Sequence, residues 1–180
     1  GNILIASEFF FDFNEDVLTG WNVKAYNNTI NNWEVVKGGI DGTNCIISYS
    51  YRTNVYPNYF VADNIAITEK TYYITENSKL SFDAMCDVLQ EGTIDHVKVE
   101  VSKDGESTIF IEEVTPTSGS FTNKVVDLGA KFAELGLEYG DYHIVLHHQE
   151  NSKFYVMVDN IRLSNASNVK TRGTDVDEIY

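Results

Sequence analysis

His96-Val97-Lys98-Val99-Glu100-Val101-Ser102 alternates valine with polar or charged residues. Successive side chains of an extended strand point to opposite faces, so this stretch buries three valines and leaves Lys98, Glu100 and Ser102 on the other side. Lys103-Asp104-Gly105-Glu106-Ser107 follows, with Asp-Gly as a tight-turn signal, and Thr108-Ile109-Phe110-Ile111-Glu112-Glu113-Val114 reads as the partner strand. The period of two recurs on either side of this hairpin. Leu80, Phe82, Ala84 and Cys86 share one parity. Cys45-Ile46-Ile47-Ser48-Tyr49-Ser50-Tyr51 is continuous and β-rich, and Tyr59-Phe60-Val61 and Ile65-Ala66-Ile67 are shorter pieces. Tyr142-His143-Ile144-Val145-Leu146-His147 and Phe154-Tyr155-Val156-Met157-Val158 are late strands. Helix formers run together only in Ala130-Lys131-Phe132-Ala133-Glu134-Leu135, which Gly136 ends. Many short strands at turn-punctuated intervals predict an all-β fold of two antiparallel sheets, a β-sandwich or jelly roll.

The chain has 180 residues, enough for one domain with or without a tail, and 43% are hydrophobic and 13% aromatic, enough for a core. The division read from the pattern is a jelly roll over residues 1–165 and a polar tail or linker over 166–180, the polar character setting in from Ser164. Thirteen Lys and Arg against 27 Asp and Glu give a formal charge of −14. Such a surface repels nucleic-acid backbones and anionic lipid headgroups, and no run approaches the roughly 20 apolar residues of a spanning helix. The chain begins at Gly1 without Met, which gives the expectation of a processed or trimmed product. Cys45 and Cys86 lie far apart and outside any CxxC, so two buried thiols are expected ahead of a disulfide, and zinc is not.

Candidate chemistry concentrates in carboxylates. Asp159 ends the apolar run Val156-Met157-Val158 and, by strict alternation, shares a face with Met157, Ile161 and Leu163. A carboxylate on a core face needs a partner: a Lys or Arg, a set of backbone N–H groups, or a hard cation such as Ca²⁺. A bulge that turns it outward is the alternative. In Phe11-Asp12-Phe13-Asn14-Glu15-Asp16 the same alternation puts Asp12, Asn14 and Asp16 on one side, where they present several oxygens or form a solvated face. The Gly and Glu of an EF-hand loop are missing. Adjacent His147 and His148 point to opposite faces of a strand, and His143 can share a face with His147. There is no phosphate loop, GxSxG elbow or HExxH, and nothing in the sequence points to an enzyme. Eleven tyrosines suit sugar stacking and interfaces as well as β cores, and Tyr26, Tyr51 and Tyr56 are the loop positions singled out for ligand contact.

The order of segments resembles the cleaved-adhesin domains, β jelly-roll modules of gingipain-type bacterial surface proteins that are themselves similar to carbohydrate-binding modules. The likeness runs from Phe11 to Asn165. It rests on Phe11-Asp12-Phe13-Asn14 with Gly20-Trp21, Asn32-Trp33-Glu34-Val35, the Cys45–Tyr51 run and Pro57-Asn58-Tyr59-Phe60-Val61. Leu80-Ser81-Phe82-Asp83-Ala84, His96–Ser102, Tyr142–His148 and Val158-Asp159-Asn160-Ile161-Arg162-Leu163 complete it. The sequence departs from the family at Ala62-Asp63, at Leu146 and in the amide-rich, uncharged run Tyr26–Asn32, where a second cation is not expected.

The resemblance implies a jelly-roll β-sandwich and export to the bacterial cell surface or exterior, within a larger multidomain chain. It implies non-catalytic adhesion to a host or matrix protein or a glycan, and structural calcium. The family's acidic positions fall on Asp12, with Asn14 following, and on Asp159. Three alternatives accompany this reading: a carbohydrate-binding module of a polysaccharide-degrading system, a hydrolase with an unrecognised carboxylate pair, and a spacer or accessory domain.

Overall fold

The computed structural model describes residues 6–14, 18–27, 31–52 and 61–167. Its strands are β1 (Ala6–Phe11), β2 (Trp21–Ala25), β3 (Glu34–Lys37), β4 (Asn44–Tyr49), β5 (Val61–Thr68), β6 (Tyr72–Ile74), β7 (Lys79–Asp87), β8 (Val97–Ser102), β9 (Ile109–Val114), β10 (Thr117–Ser118), β11 (Thr122–Asp127), β12 (Gly140–Asn151) and β13 (Tyr155–Ser167); one helix, α1 (Leu128–Leu135), interrupts them. One sheet runs β2-β5-β12-β8-β9, antiparallel throughout. The other is built around β7 and β13, with β4 and β3 beyond β13 and β11 beyond β7. The all-β sandwich expected from the alternation is the fold observed.

The predicted hairpin is β8–β9, and Val97, Val99 and Val101 are buried as its period of two requires. They face Leu80, Phe82 and Ala84 of β7 and Val156, Val158, Ile161 and Leu163 of β13, all within one core. Phe9, Trp21 and Tyr72 close one end in edge-on ring contacts, with Phe9 and Tyr72 centred 4.7 Å apart. In α1, Asp127 accepts from the Ala130 N–H at the N-terminus and Gly136, at φ 70°, ends the helix.

The structure revises four details. Asn160 takes φ 51° and the β13–β7 register shifts between Asp159 and Arg162. This bulge returns Ile161 and Leu163 to the face of Val156 and Val158 and leaves Asp159 opposite them, with Met157; strict alternation fails there because one residue is inserted. β1 ends at Phe11 and Phe13 turns to φ 56°, so the alternation of Asp12 and Asn14 does not continue as a strand, and Asp16 lies outside the described residues. β13 extends through Ser167, past the 165 boundary, because Ala166 and Ser167 pair with Ser7 and Ala6. The short pieces about Val61 and Ile65 are one strand, β5, whose polar interior residues find tertiary partners. Cys45 and Cys86 are buried free thiols.

Candidate functional site

The sheet β2-β5-β12-β8-β9 turns one face to the core and the other outward. Register places Lys24, Ile65 and His147 side by side across β2, β5 and β12, and Asn22, Ile67, Val145 and Glu100 form the next row, which continues onto β8. Ile65, Ile67 and Val145 form an apolar floor separate from the main core. Val145 is 0% exposed although it lies on the outer side. The 103–107 turn reaches back over this face: Glu106 pairs with Lys24 at 3.1 Å, and Gly105 sits against His143, whose Nε2 lies 3.5 Å from where a Cβ would stand. Asp104 holds the turn by accepting from the backbone N–H groups of Glu106 and Ser107. Aromatic side chains stand at both edges. Phe110, opposite Glu100 on β9, is 51% exposed, and Tyr26, whose N–H donates to the Asp63 carbonyl, is 53% exposed.

The polar centre of the face is His147. Its Nε2 lies 2.5 Å from Asp63 Oδ1 on β5 and its Nδ1 3.0 Å from Glu100 Oε2 on β8. Burial would lower the imidazole pKa, but hydrogen bonds and charge from Glu100 and Asp63 outweigh it and hold the pKa above the ordinary histidine value. Burial would likewise raise Glu100, but His147, Thr108 and Lys98 keep it below the ordinary glutamate value.

The neighbouring His148 points inward, as adjacent strand residues must. Its Nδ1 is 2.6 Å from Ser48 Oγ and its Nε2 2.7 Å from Asp95 Oδ1. Ser50 donates to Asp95 Oδ1 at 2.6 Å, the Phe154 N–H donates to Asp95 Oδ2 at 2.8 Å, and Asn64 Nδ2 donates to Ser48 Oγ at 2.8 Å. Ser48, His148 and Asp95 have the residue types of a hydrolytic triad, but all three are fully buried. The arrangement satisfies polar groups between the sheets and offers no reaction site.

Asp159 is fully buried under the segment from Gly38 to Asn44. It accepts from Asn160 N–H at 2.8 Å and, at 3.4 Å each, from Ile40 N–H and the Thr43 hydroxyl. The last two contacts are long, and no Lys or Arg pairs with it among the described residues. Burial, with the nearby Asp83 charge, outweighs these donors and holds the carboxyl above the ordinary aspartate value. The Cys45 thiol beside it is pushed up to about 12, by burial first and then by the Asp159 charge. Gly39 lets the oxygens close in. A Cβ there would meet Asp159 Oδ2 at 2.6 Å, the Asn44 carbonyl at 2.9 Å and the Thr43 carbonyl at 3.0 Å. The Thr43 carbonyl already accepts from the Gly38 and Gly39 N–H groups at 3.2 and 2.8 Å, so the Asp159 carboxylate and the Asn44 carbonyl are the hard oxygens of the kind Ca²⁺ prefers.

Of the residues picked from the sequence, Asp12 and Asn14 come together, Asn14 donating to Asp12 through its backbone N–H at 3.2 Å and Nδ2 at 2.9 Å. Their strand ends where Phe11 pairs with Ile161, which leaves Asp12 next in line beside the Asn160 bulge. Tyr26 lies on the outer face of the five-stranded sheet. Tyr51 lies elsewhere, bonded through its N–H to the Phe154 carbonyl at 3.1 Å, and Tyr56 is outside the described residues. Sequence reasoning missed Asp63, Glu100 and Phe110. Their signal was present in part: Glu100 is on the polar side of the β8 alternation, and Phe110 is an aromatic on the polar side of its partner.

No protein-family profile matches the sequence, and no curated protein matches it. Solved structures do match in fold. The K1 cleaved adhesin domain of Lys-gingipain from Porphyromonas gingivalis W83 superposes with a TM-score of 0.69 at 20% identity, covering 88% of this chain and 98% of that one. The K3 cleaved adhesin domain from the same organism gives 0.68 at 17% identity, covering 88% and 99%. The carbohydrate-binding module TmCBM61, solved in complex with beta-1,4-galactotriose, gives 0.57 at 12% identity, covering 86% and 94%. The chain therefore has the jelly-roll fold of cleaved-adhesin domains and carbohydrate-binding modules, as the order of its sequence motifs implied.

Proposed function

We propose that this protein is a non-catalytic binding module of a bacterial surface or secreted protein, part of a larger chain, and that the outer face of β2-β5-β12-β8-β9 holds its ligand. The observation that carries this is the composition of that face. Exposed aromatic rings stand at both edges of a fixed set of hydrogen-bonding groups, over the buried Ile65, Ile67 and Val145, an arrangement suited to an extended glycan. The exposed rings of Tyr26 and Phe110 would take the sugar ring faces, and the carboxylate of Asp63, more exposed than that of Glu100, would accept from hydroxyls. A host or matrix protein presenting an extended segment is the second partner class, favoured by the fold match to adhesin domains. In this reading the buried Ser48–His148–Asp95 set is structural.

Calcium belongs to the same proposal. Asp159 and the carbonyl of Asn44 would hold it, with Asp12, and Asn14 beside it, contributing from the end of β1. Bound there, the ion would neutralise Asp159 and tie the segment before β4 to the junction of the first and last strands, stabilising the fold by mass action.

A glycan array and a panel of immobilised matrix proteins, probed with wild-type protein and with Tyr26→Ala and Phe110→Ala, test the assignment. The expected outcome is capture by one ligand class that both substitutions weaken. Capture that neither substitution changes places the ligand elsewhere and overturns the assignment of this face.

A further inference from the structure

The hydrogen-bond geometry at His147 fixes its protonation. A neutral imidazole carries one N–H and one lone pair, so it can donate to only one carboxylate. Here each ring nitrogen lies within hydrogen-bond distance of a different carboxylate oxygen, Asp63 Oδ1 and Glu100 Oε2. Were the ring neutral, one of these contacts would press a lone pair against an anionic oxygen. Only the imidazolium donates both ways, linking β5, β12 and β8 on the outer side of the sheet.

The two carboxylates are not equivalent. The Glu100 side chain is 7% exposed and that of Asp63 is 18% exposed. Glu100 Oε1 is buried without a hydrogen-bond partner, so the carboxylate is costly to leave uncompensated. Asp63 can take up water. When the proton leaves the ring for solvent, the remaining N–H stays with Glu100 and Asp63 is released.

Resting on the reading of this sheet as the ligand face, we propose that His147 is a proton-operated staple. As imidazolium it fixes β5 to β12 and β8 and sets the charge of the face; as neutral imidazole it frees Asp63 beside Tyr26. The three-residue cluster then passes from a net charge of −1 to −2. The charged groups around it work in the same setting. Lys98 on β8 donates to Gln149 Oε1 at 2.8 Å and lies across from Glu113 on β9. Lys24 on β2 is held by Glu106 of the turn, Asp104 is turned to its own backbone, and His143, on the same strand and face, meets the Thr68 carbonyl through Nδ1 at 2.7 Å. None of these side chains bonds to the His147 ring, so its proton is governed by Asp63 and Glu100.

The test needs no ligand, so its result is independent of whether an array finds one. Imidazole ¹H–¹⁵N correlation spectra of the ¹⁵N-labelled full chain are recorded from mildly acidic to alkaline pH. Expected are two protonated ring nitrogens on His147 at neutral pH, a midpoint above the ordinary 6.5, and backbone shifts at Asp63 and Tyr26 that follow the same midpoint. Asp63→Asn, which keeps the side-chain shape, is expected to move the midpoint downward and to abolish the coupled shift at Tyr26. A single protonated nitrogen at neutral pH, or a midpoint at or below 6.5 in the folded wild type, overturns the proposal. So does a Tyr26 shift that survives Asp63→Asn.

Discussion

Ser48 Oγ and His148 Nδ1 lie 2.6 Å apart across the interior, and the bond between them joins the two sheets. Ser48 comes from β4 and His148 from β12, and Asp95, from the segment before β8, holds the other side of the ring. Polar groups placed this deep stabilise one alignment of the sheets only while every partner is present.

Removing one partner is therefore expected to be costly. Asp95→Ala leaves His148, Ser50 and the Phe154 N–H facing a void, and the expected loss is about 3–5 kcal/mol in urea unfolding at neutral pH. The wild type should also carry an acid sensitivity from this residue. Burial alone would raise the Asp95 pKa, but His148, Ser50 and Phe154 outweigh it and hold it below the ordinary aspartate value of 3.8. A depressed carboxyl stabilises the fold above its unfolded pKa, and that contribution is lost as pH falls from 3.8 through the folded value. Stability measured over that window should fall in the wild type, and an Asp95→Asn variant should lack this component.

Asp159 has the opposite sign. Its pKa is held above 3.8, so the folded protein binds this proton more tightly than the unfolded chain does. In metal-free buffer its contribution is most favourable at low pH and declines as pH rises from 3.8 through the folded value. Asp159→Asn should then leave the melting temperature in EGTA unchanged or higher. The wild type should melt higher in millimolar Ca²⁺ than in EGTA, and the variant should show little of that difference. Equal wild-type melts in Ca²⁺ and EGTA would remove calcium from the proposed function.

Two glycines separate packing from ion binding. A Cβ on Gly129 would stand 1.9 Å from the Glu76 carbonyl oxygen, and one on Gly39 would stand 2.6 Å from Asp159 Oδ2. Either Gly→Ala change should destabilise by about 1–3 kcal/mol or more through overpacking. Only Gly39→Ala should also weaken the calcium response, read as the difference between melts with and without the ion.

Phe110 projects from β9 with half its surface in water, so Phe110→Ala should leave stability within about 0.5 kcal/mol. If the ring lies over a bound ligand, affinity should fall by tenfold or more, equivalent to about 1.4 kcal/mol, in a titration with whichever glycan or protein the wild type captures.

The sandwich was legible because its central strands obey one rule. Val97, Val99 and Val101, and Leu80, Phe82, Ala84 and Cys86, are buried where a period of two places them. Alternation could not foresee Asn160, where one extra residue exchanges the faces of β13, because an asparagine at positive φ leaves no periodic trace. β5 was fragmented because Asp63 and Asn64 look like a turn in sequence; they are strand residues whose partners, His147 and Ser48, lie far along the chain. The same separation hid the proposed ligand face. Asp63, Glu100 and His147 come from three segments, and only the β5-β12-β8 register brings them together.

β13 changes neighbours midway. Along one edge β4 pairs with Tyr155 to Val158, and β1 takes over from Ile161 to Ser167. The opening strand thus finishes a border that the fourth one begins. A recombinant version trimmed beyond Phe11 would lose Phe9 from the end of the core and leave half of that border as bare amide and carbonyl groups, open to an extended segment from a neighbouring molecule. Preparations lacking those first residues should self-associate, whereas those retaining them carry their own seal.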